Sequence, residues 1–357
     1  MEPMLTAQLQ AETERLARSW MRHDQAMLAD YLVADVEDPR INVQSILTRH
    51  FLIEQRFGSR FRSLRVEELR FAVVMNWLLA FHKNQGADAE TRRAVLHALR
   101  ARADNAEGVE VPGFLVDAFS ALPRRAGGAR VPNYLRRWLE AGASPPPAEG
   151  WDRGWLETFQ RLWPRRLEGA SGRRLTVLEP ACGSANDYRF VEAFGLAAGL
   201  DYTGFDLCEK NILNASSRHP GATFRLGNVF DIETDRPFDV AYVHDLFEHL
   251  SPAGLERAVA ELCRVTRSAI CAHFFNMDEI DDHVVRPVDD YHWNTLSMAR
   301  VVAAFEAQRA TVQVIHIASL LRWLLGCGET HNQGAYTLIV TLLGANRGAT
   351  AAAARQS

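Results

Sequence analysis

The sequence predicts an α/β protein, with a doubly wound sheet of seven strands in its C-terminal half and an all-α N-terminal part. Before residue 141, apolar residues recur at helical spacing. After residue 174, short apolar runs rich in β-branched or aromatic residues follow one another, and helical stretches separate the first six, as in a parallel sheet covered on both faces. The runs are Leu175–Leu178, Tyr202–Phe205, Thr223–Leu226, Val240–Val243, Ala269–Phe274, Val312–Ile317 and Tyr336–Leu342.

The N-terminal part is predicted to be a set of helices. The first places its apolar residues four or seven apart on one face, at Leu5, Leu9, Leu16, Trp20, Met27 and Tyr31. A second helix is expected from Ile46 to Phe57, with its end at Gly58. A third, Val66 to Phe81, is apolar on nearly all sides, so it must be buried in a bundle or at an interface. Further helices are expected at Ala89 to Arg102, Phe114 to Leu122 and Tyr134 to Ala141.

The length of 357 residues exceeds that of one usual domain, and the composition indicates where to divide the chain. Residues 1–140 form the helical part, which we expect to act as a substrate lid, a dimerisation surface or both. Residues 141–150 contain three consecutive prolines and form a semi-rigid linker. Residues 151–345, which begin with a predicted helix, form the second domain, and residues 346–357 form a low-complexity tail expected to be disordered.

Charge and cysteine content limit the partners of the chain. The net charge is −4, without the basic excess that nucleic-acid or anionic-membrane binding usually needs, so a small or neutral partner is favoured. The five cysteines form no CxxC pair, which suggests reduced thiols in a cytoplasmic protein. No signal peptide or membrane span is visible, and the strong preference for arginine over lysine suggests a bacterial source.

Chemistry in a sheet of this kind is expected beyond the carboxyl ends of the strands. The first strand ends at Glu179, and the loop after it, with Gly183, allows a ligand to approach the backbone closely. A carboxylate at this point repels pyrophosphate but suits an amine or a sulfonium. Asp206 ends the second strand, 23 residues after Gly183, near the spacing at which an acidic residue accepts hydrogen bonds from ribose hydroxyls. Alone, Asp206 is equally compatible with a helix cap.

The third and fourth strands end in further polar segments, Gly227–Asp231 and Phe238–Leu250. With Glu179 and Asp206 these segments resemble the class I S-adenosylmethionine (SAM)-dependent methyltransferases, especially the broad type 11/12 group. In that family an ExGxGxG loop, an acidic second-strand end, a GDxxD-like turn and an FDxV…EHL segment follow in this order. The resemblance covers about 170 residues, and it implies a Rossmann-like seven-stranded sheet and SAM as cofactor.

The resemblance also implies a role for individual positions. Glu179 would lie near the methionyl amine of SAM, and Ala181 and Gly183 would line the backbone of the cofactor. Asp206, followed by Leu207, would bind the ribose. Asn228 and the Val229 amide would recognise the adenine, and the backbone of His244 would face the methionyl end. Alanine stands at positions 181 and 185, where the family has glycine, so we expect the loop to keep φ negative there or to shift slightly.

Candidates for a proton acceptor follow the fourth and fifth strands. We select Asp245, His249, His273 and His292 as candidate catalytic residues. For His249 in the EHL run a structural role is the favoured alternative, and His273 is also compatible with a satisfied core histidine. Tyr291 to Trp293 are expected to line an aromatic acceptor pocket. No spacing of histidines and carboxylates repeats a metal-ligand pattern, so no metal is expected.

The sequence thus favours a methyltransferase acting on an oxygen or nitrogen of a small molecule, such as a metabolite or natural product. The alternatives are SAM-dependent chemistry other than methylation and a non-catalytic SAM-binding protein. A nucleic-acid methyltransferase is disfavoured because neither a [D/N]PPY sequence nor a Pro-Cys pair follows the fourth strand, which runs into Val243 and His244. The acceptor and a possible homodimer stay open.

Overall fold

The computed structural model describes residues 3–22, 42–58, 173–193, 196–320 and 332–343. Seven predicted features lie outside these ranges: the helices at 66–81, 89–102, 114–122, 134–141 and 151–167, the Pro-rich linker and the C-terminal tail. Among the described residues, no helix is both long and apolar enough to cross a membrane.

Two helices of the N-terminal part are described. Helix α1 spans Pro3–Arg22, and helix α2 spans Val43–Phe57 and ends at Gly58, as the sequence predicts. Helix α2 begins three residues earlier than expected because Asn42 caps it, its side chain accepting from the backbone N–H groups of Gln44 and Ser45. Gly58 takes a φ of +66°, which glycine adopts without strain.

All seven predicted strands are present, and they form one sheet. In chain order the seven are β1 (Leu175–Pro180), β2 (Leu200–Asp206), β3 (Thr223–Leu226), β4 (Phe238–Val243), β5 (Thr266–Phe274), β10 (Ala310–His316) and β11 (Tyr336–Leu342). Four two-residue strands follow β5 and form two small separate sheets, in which β6 pairs with β9 and β7 with β8. They are β6 (Met277–Asp278), β7 (Pro287–Val288), β8 (Tyr291–His292) and β9 (Leu296–Ser297).

The strand order across the large sheet is β10-β11-β5-β4-β1-β2-β3. Strands β1 to β5 pair in parallel, but β11 lies between β5 and β10 and is antiparallel to both. The predicted parallel arrangement therefore holds for β1 to β5, and the sheet is antiparallel at this edge. The chain returns from β10 to β11 as a neighbouring antiparallel pair, a connection that needs no crossover helix.

Helices connect most of the parallel strands. They are α3 (Asn186–Ala193), α4 (Glu209–Arg218), α5 (Pro252–Val265) and α6 (Met298–Glu306). The predicted helical stretch between the third and fourth strands is absent: residues 227–237, which are all described, form turns with an isolated bridge between Asn228 and Asp231. Because no helix follows β3 directly, no helix of its own covers the carboxyl end of this strand.

The N-terminal helices pack on the sheet domain. Leu9 and Leu16 of α1 join the main hydrophobic core, which also contains Phe247, Phe274 and Phe305. Helix α2 contacts β5 and β11 and contributes to a second cluster of buried side chains. Both helices therefore reach the side of the sheet at which the functional candidates lie.

Candidate functional site

A cavity of about 430 Å³ opens where β1, β2 and β4 end. Its size falls within the range of about 300–1,000 Å³ usual for small-molecule sites. The lining includes a central loop after β1, the ends of the neighbouring strands and one residue of α1: Leu16, Glu179, Ala181, Gly183, Asp187, Asp206, Leu207, Asn228, Val229, His244, Asp245 and His249, with several others. All eight predicted cofactor-binding positions thus lie around one cavity.

The loop after β1 is held in an unusual backbone conformation. Gly183 has a φ of +54°, and Ala181 and Ala185 have φ values of +54° and +67°. The expectation of negative φ at the two alanines was wrong. The loop keeps the left-handed geometry that glycine would favour, and each alanine accepts a strain of roughly 1–2 kcal/mol. The N–H of Cys182 donates to the Phe205 carbonyl at 3.0 Å, and this bond to β2 helps to fix the loop.

Glu179 ends in a buried position between two tyrosines. The hydroxyl groups of Tyr202 and Tyr242 both donate to its Oε2, the second at 2.5 Å. Burial raises the pKa of Glu179 from 4.5 to about 8, repulsion from Asp187 adds to the rise, and the two tyrosine hydrogen bonds oppose it. The carboxyl is therefore protonated at neutral pH in the ligand-free protein, and a cation placed beside it would favour its ionised form.

Asp206 is buried and anchors the loop to β2. Its Oδ2 accepts from the Gly183 N–H at 3.0 Å, and its Oδ1 accepts from the Cys208 N–H at 2.8 Å and from the Asn211 side chain at 3.2 Å. Burial raises its pKa, and these hydrogen bonds oppose the rise. Asp206 thus has two functions that the sequence left as alternatives: it stabilises the turn into α4 and it lines the cavity.

Helix α1 closes the cavity beside the turn after β3. The Asn228 Oδ1 accepts from the Phe230 N–H, and its Nδ2 donates to the Thr13 hydroxyl at 2.9 Å. Leu16, one turn further along α1, lines the cavity. The carboxylate of the buried Glu12 accepts from the Ser251 N–H at 2.5 Å, at the start of α5, so it holds α1 at a helix N-terminus.

The tip of β4 places His244 in the cavity wall. Its Nε2 lies 2.8 Å from the Thr48 hydroxyl of α2 and 3.8 Å from the Asp187 carboxylate of α3. Asp187 also lines the cavity. The sequence indicated the backbone of His244 as a cofactor contact, whereas the structure also brings its imidazole to the cavity.

Two of the four predicted catalytic residues line this cavity. Asp245 is exposed and adopts a φ of +47°, a conformation that non-glycine residues rarely take. His249 is buried, and its Nδ1 donates to the His292 carbonyl at 2.9 Å. Burial lowers the pKa of His249, and the hydrogen bond to that carbonyl partly offsets the effect, so the ring stays neutral near pH 7.

The structure does not bring the other two, His273 and His292, to the cavity. His273 is fully buried behind His244, with its two ring nitrogens at 2.6 Å from the Thr48 hydroxyl and 2.8 Å from the Thr337 hydroxyl. It matches the alternative of a satisfied core histidine. His292 lies in β8 and borders a separate depression beside α1, together with Arg18.

A group of aromatic rings lies beside the cavity. The ring of His249 is 5.5 Å from the rings of both Tyr291 and Trp293, and Phe275 is 4.9 Å from Trp293. Trp293 remains 43% exposed. Of the predicted aromatic pocket, Tyr291 and Trp293 therefore surround His249, a residue of the cavity wall.

Glu248 holds the segment after β5 in place. Its Oε1 accepts from the backbone N–H groups of Phe275 and Asn276, at 2.6 and 3.2 Å. Burial raises the pKa of Glu248 to about 8, and repulsion from Asp245 adds to it. Its Oε2 is buried and has no hydrogen-bond partner in the described part of the chain.

Four residues of the site were missed by sequence reasoning: Thr13, Leu16, Thr48 and Asp187. Three lie on the N-terminal helices, up to 215 residues away from their partners in the chain. Leu16 was recognised only as part of an apolar helix face. Asp187 carried a usable signal, because it falls in the first turn of the helix that follows the glycine-containing loop.

The cavity is compatible with SAM in its size and its polar groups. Carboxylates at the β1 and β2 ends suit cationic groups and hydroxyls, and the Asn228 turn offers a backbone and amide edge. In the described part of the chain, no group of three or more histidine, cysteine or acidic side chains is arranged to hold a metal.

Comparison with known proteins agrees with this geometry. Residues 177–269 match the family model described as a methyltransferase domain. No curated protein matches the chain. Similar solved structures include a SAM-dependent methyltransferase from Clostridium acetobutylicum (11% identity, TM-score 0.36, 53% of this chain and 92% of that one). They also include a TehB-like SAM-dependent methyltransferase from Corynebacterium glutamicum (16%, 0.35, 52% and 97%) and the glycopeptide N-methyltransferase MtfA (14%, 0.36, 51% and 86%).

The family match covers the strands and loops that surround the cavity, from β1 into β5. The matched range contains all four polar segments at the strand ends, from Glu179 to Leu250. On these findings, residues 177–269 of the chain are similar to a methyltransferase domain.

Proposed function

We propose that the chain transfers the methyl group of SAM to an oxygen or nitrogen atom of a small-molecule acceptor. The observation that carries the proposal is one cavity in which the buried carboxylates of Glu179 and Asp206 and the side chains of Asp245 and His249 meet. The volume of about 430 Å³ is that of a small-molecule site, and α1 contributes Leu16 to its wall.

In this proposal the cofactor-binding residues keep the roles that the family resemblance implies. Glu179 attracts the cationic methionyl end, with Ala181 and Gly183 beneath it. Asp206, followed by Leu207, accepts from the ribose hydroxyls, and its ribose contacts add to the three hydrogen bonds it already accepts. Asn228 and Val229 contact the adenine, and the backbone of His244 faces the methionyl end next to the methyl group.

The N-terminal helices act as a lid over this cavity in the proposal. Leu16 covers it, Thr13 is hydrogen-bonded to Asn228, and Glu12 fastens α1 to the start of α5. A lid excludes water, which strengthens every electrostatic contact inside and favours displacement at a methyl group. We extend the role of a lid and of a possible dimer contact to the whole of residues 1–140.

The acceptor is proposed to bind between Asp245 and the aromatic group around His249. The rings of Tyr291, Trp293 and Phe275 offer flat apolar surfaces, which suits a planar or aromatic acceptor. The net charge of −4 and the enclosed cavity favour a small molecule over a nucleic acid.

The chemistry that SAM supplies is an activated methyl group on a sulfonium, which already contains a good leaving group. The protein therefore contributes mainly position and desolvation, worth up to about 7–11 kcal/mol for well-oriented reactants. The strained backbone at Asp245 holds its side chain at the mouth, next to the cavity. A hydroxyl or ammonium acceptor also needs a residue that removes its proton.

The proposal is tested in two steps. Calorimetry with SAM, S-adenosylhomocysteine and NAD should show binding of the first two and not of NAD. Incubation of the protein with SAM and a panel of phenols, carboxylates and amines, followed by mass spectrometry, should then yield S-adenosylhomocysteine and a product heavier by one methylene group. NAD binding without SAM binding would sink the assignment. SAM binding without turnover across the panel would favour the non-catalytic alternative.

A further inference from the structure

A chain of hydrogen bonds leads from the cavity into the core. The His244 Nε2 lies 2.8 Å from the Thr48 hydroxyl, which lies 2.6 Å from the His273 Nε2. The His273 Nδ1 lies 2.8 Å from the Thr337 hydroxyl. The two imidazoles stack with centroids 4.1 Å apart. Thus α2, the tip of β4, β5 and β11 each contribute one member.

The hydrogen bonds of this network can be oriented in two directions. In the first, the His244 Nε2–H donates to Thr48, the Thr48 hydroxyl donates to the His273 Nε2, and the His273 Nδ1–H donates to Thr337. In the second, every donor and acceptor is reversed, and His244 carries its proton on Nδ1. Both directions leave His273 neutral, as its environment requires, because burial and then the neighbouring His244 lower its pKa well below the ordinary value.

Asp187 distinguishes the two directions. Its carboxylate lies 3.8 Å from the His244 Nε2. A negative charge at that distance favours a proton on the nearer nitrogen. The first direction is therefore favoured, and it leaves the lone pair of the His244 Nδ1 available. Among the described residues, no side chain or backbone group forms a hydrogen bond to that nitrogen.

His244 differs in this respect from the other histidine of the cavity wall. The Nδ1 of His249 is already committed as a donor to the His292 carbonyl. The titratable groups that face the His244 ring are Asp187 from α3, His273 from β5 and Tyr242 from its own strand. A positive charge on His244 would be stabilised by Asp187 alone among them.

We propose that His244, held by Thr48 with its proton on Nε2, accepts the proton of the methyl acceptor on Nδ1. The inference rests on the proposed function. The lone pair of the acceptor oxygen or nitrogen forms the bond to the methyl carbon, and the carbon–sulfur bond breaks with its electrons remaining on sulfur. The acceptor proton passes to the Nδ1 of His244, and the imidazolium then returns it to solvent. Thr48 and His273 are positioning residues, and Asp187 stabilises the imidazolium.

The proposal gives α2 a chemical role. Thr48 belongs to the N-terminal part, 196 residues before His244. The domain that carries the family motifs would therefore hold SAM without this helix but would lack the group that fixes its proton acceptor. A lid that served only to exclude water would need no hydrogen bond to His244.

The tautomer of His244 is measured directly by ¹⁵N NMR of histidine-labelled protein, with H244Q to assign the signal. We expect the wild type to have the proton on Nε2, both alone and with S-adenosylhomocysteine bound. D187N, which keeps the shape of Asp187 but lacks its negative charge, should mix the two tautomers. H316Q is the control, because His316 is half-buried like His244 and lies outside the cavity wall. A wild-type proton on Nδ1, or a tautomer unchanged in D187N, overturns the inference.

Turnover separates this inference from the proposed function. With an acceptor that the panel identifies, H244Q should lower kcat by about 10²–10⁴-fold, the usual contribution of a general base, while the Kd for SAM changes less than about threefold. T48V should lower kcat by about tenfold, and T48S should recover it. If the wild type and H244Q methylate the acceptor equally well, the role of His244 is overturned but the proposed function stands. If no acceptor is turned over, the proposed function fails and the NMR result still decides the tautomer.

Discussion

Glu179 should make the affinity for SAM depend on pH. Burial, with repulsion from Asp187, raises its pKa to about 8, so the ligand-free protein holds this carboxyl protonated at pH 6. A ligand that carries sulfonium and ammonium groups favours the ionised form, so its binding below pH 8 must release a proton. Each pH unit then changes the affinity by up to about tenfold. Between pH 6 and pH 8 binding should tighten by as much as about 100-fold, or about 2.7 kcal/mol.

Glu179→Gln is the matched perturbation. Glutamine keeps an oxygen that accepts from Tyr202 and Tyr242, but it cannot ionise. Calorimetric titration with SAM from pH 6 to pH 9, in two buffers of different ionisation enthalpy, gives both the affinity and the number of protons released. Free SAM titrates identically in both experiments, so the difference between the two proteins reports Glu179 together with its coupling to the bound amine. Equal slopes and equal proton release in the wild type and E179Q would refute the reasoning.

The same shift has a consequence for stability. A carboxyl whose pKa rises from 4.5 to about 8 on folding stabilises the native state below pH 4.5 and loses that contribution as the pH rises through 8. The free energy of unfolding of the wild type should therefore fall across this window by up to about 5 kcal/mol from Glu179. Glu248, with a pKa also raised to about 8, adds a similar term, so E179Q should flatten about half of the combined slope in urea titrations.

Three further substitutions test the site. D206A should weaken SAM binding by about 1.5–3 kcal/mol in calorimetry, because a buried charged acceptor is lost, and unchanged affinity with a lower Tm would leave only the structural role. T13V should weaken SAM binding by about 0.5–1.5 kcal/mol, because Asn228 loses its partner on α1, while T13S should bind as the wild type does. A181G should raise the free energy of unfolding by up to about 1 kcal/mol in urea titrations, because Ala181 is exposed and has a positive φ. A loss of stability in A181G would contradict the strain.

The sheet and the cofactor side of the cavity could be predicted because their information is local. Each strand is a short apolar run followed by its own polar end, and parallel strands bring those ends to one edge. The positions of Glu179 and Asp206 follow from this rule alone. The direction of β11 could not be read in the same way, because an apolar run is equally compatible with either pairing.

The catalytic side could not be predicted, because it depends on contacts between distant segments. The choice of His273 followed from its place on β5, but whether a strand histidine faces the cavity or the core depends on what packs against it, here Thr48 of α2. The positive φ values of Ala181 and Ala185 show a related limit. Both positions take a left-handed backbone although alanine disfavours it, so the geometry that the loop needs outweighs the local preference of the residues.

The Gln44 side chain links α2 to the strands β5 and β11. Its Nε2 donates to the carbonyls of Phe274 and Tyr336, 230 and 292 residues further along the chain. During synthesis, α2 must therefore wait until β11 has been made before it can dock. Contacts of such long sequence separation slow folding, since the closure of a large loop precedes any gain from the contact. The cavity would be among the last parts of the molecule to form, and an interrupted nascent chain would have most of its sheet before it could have any activity.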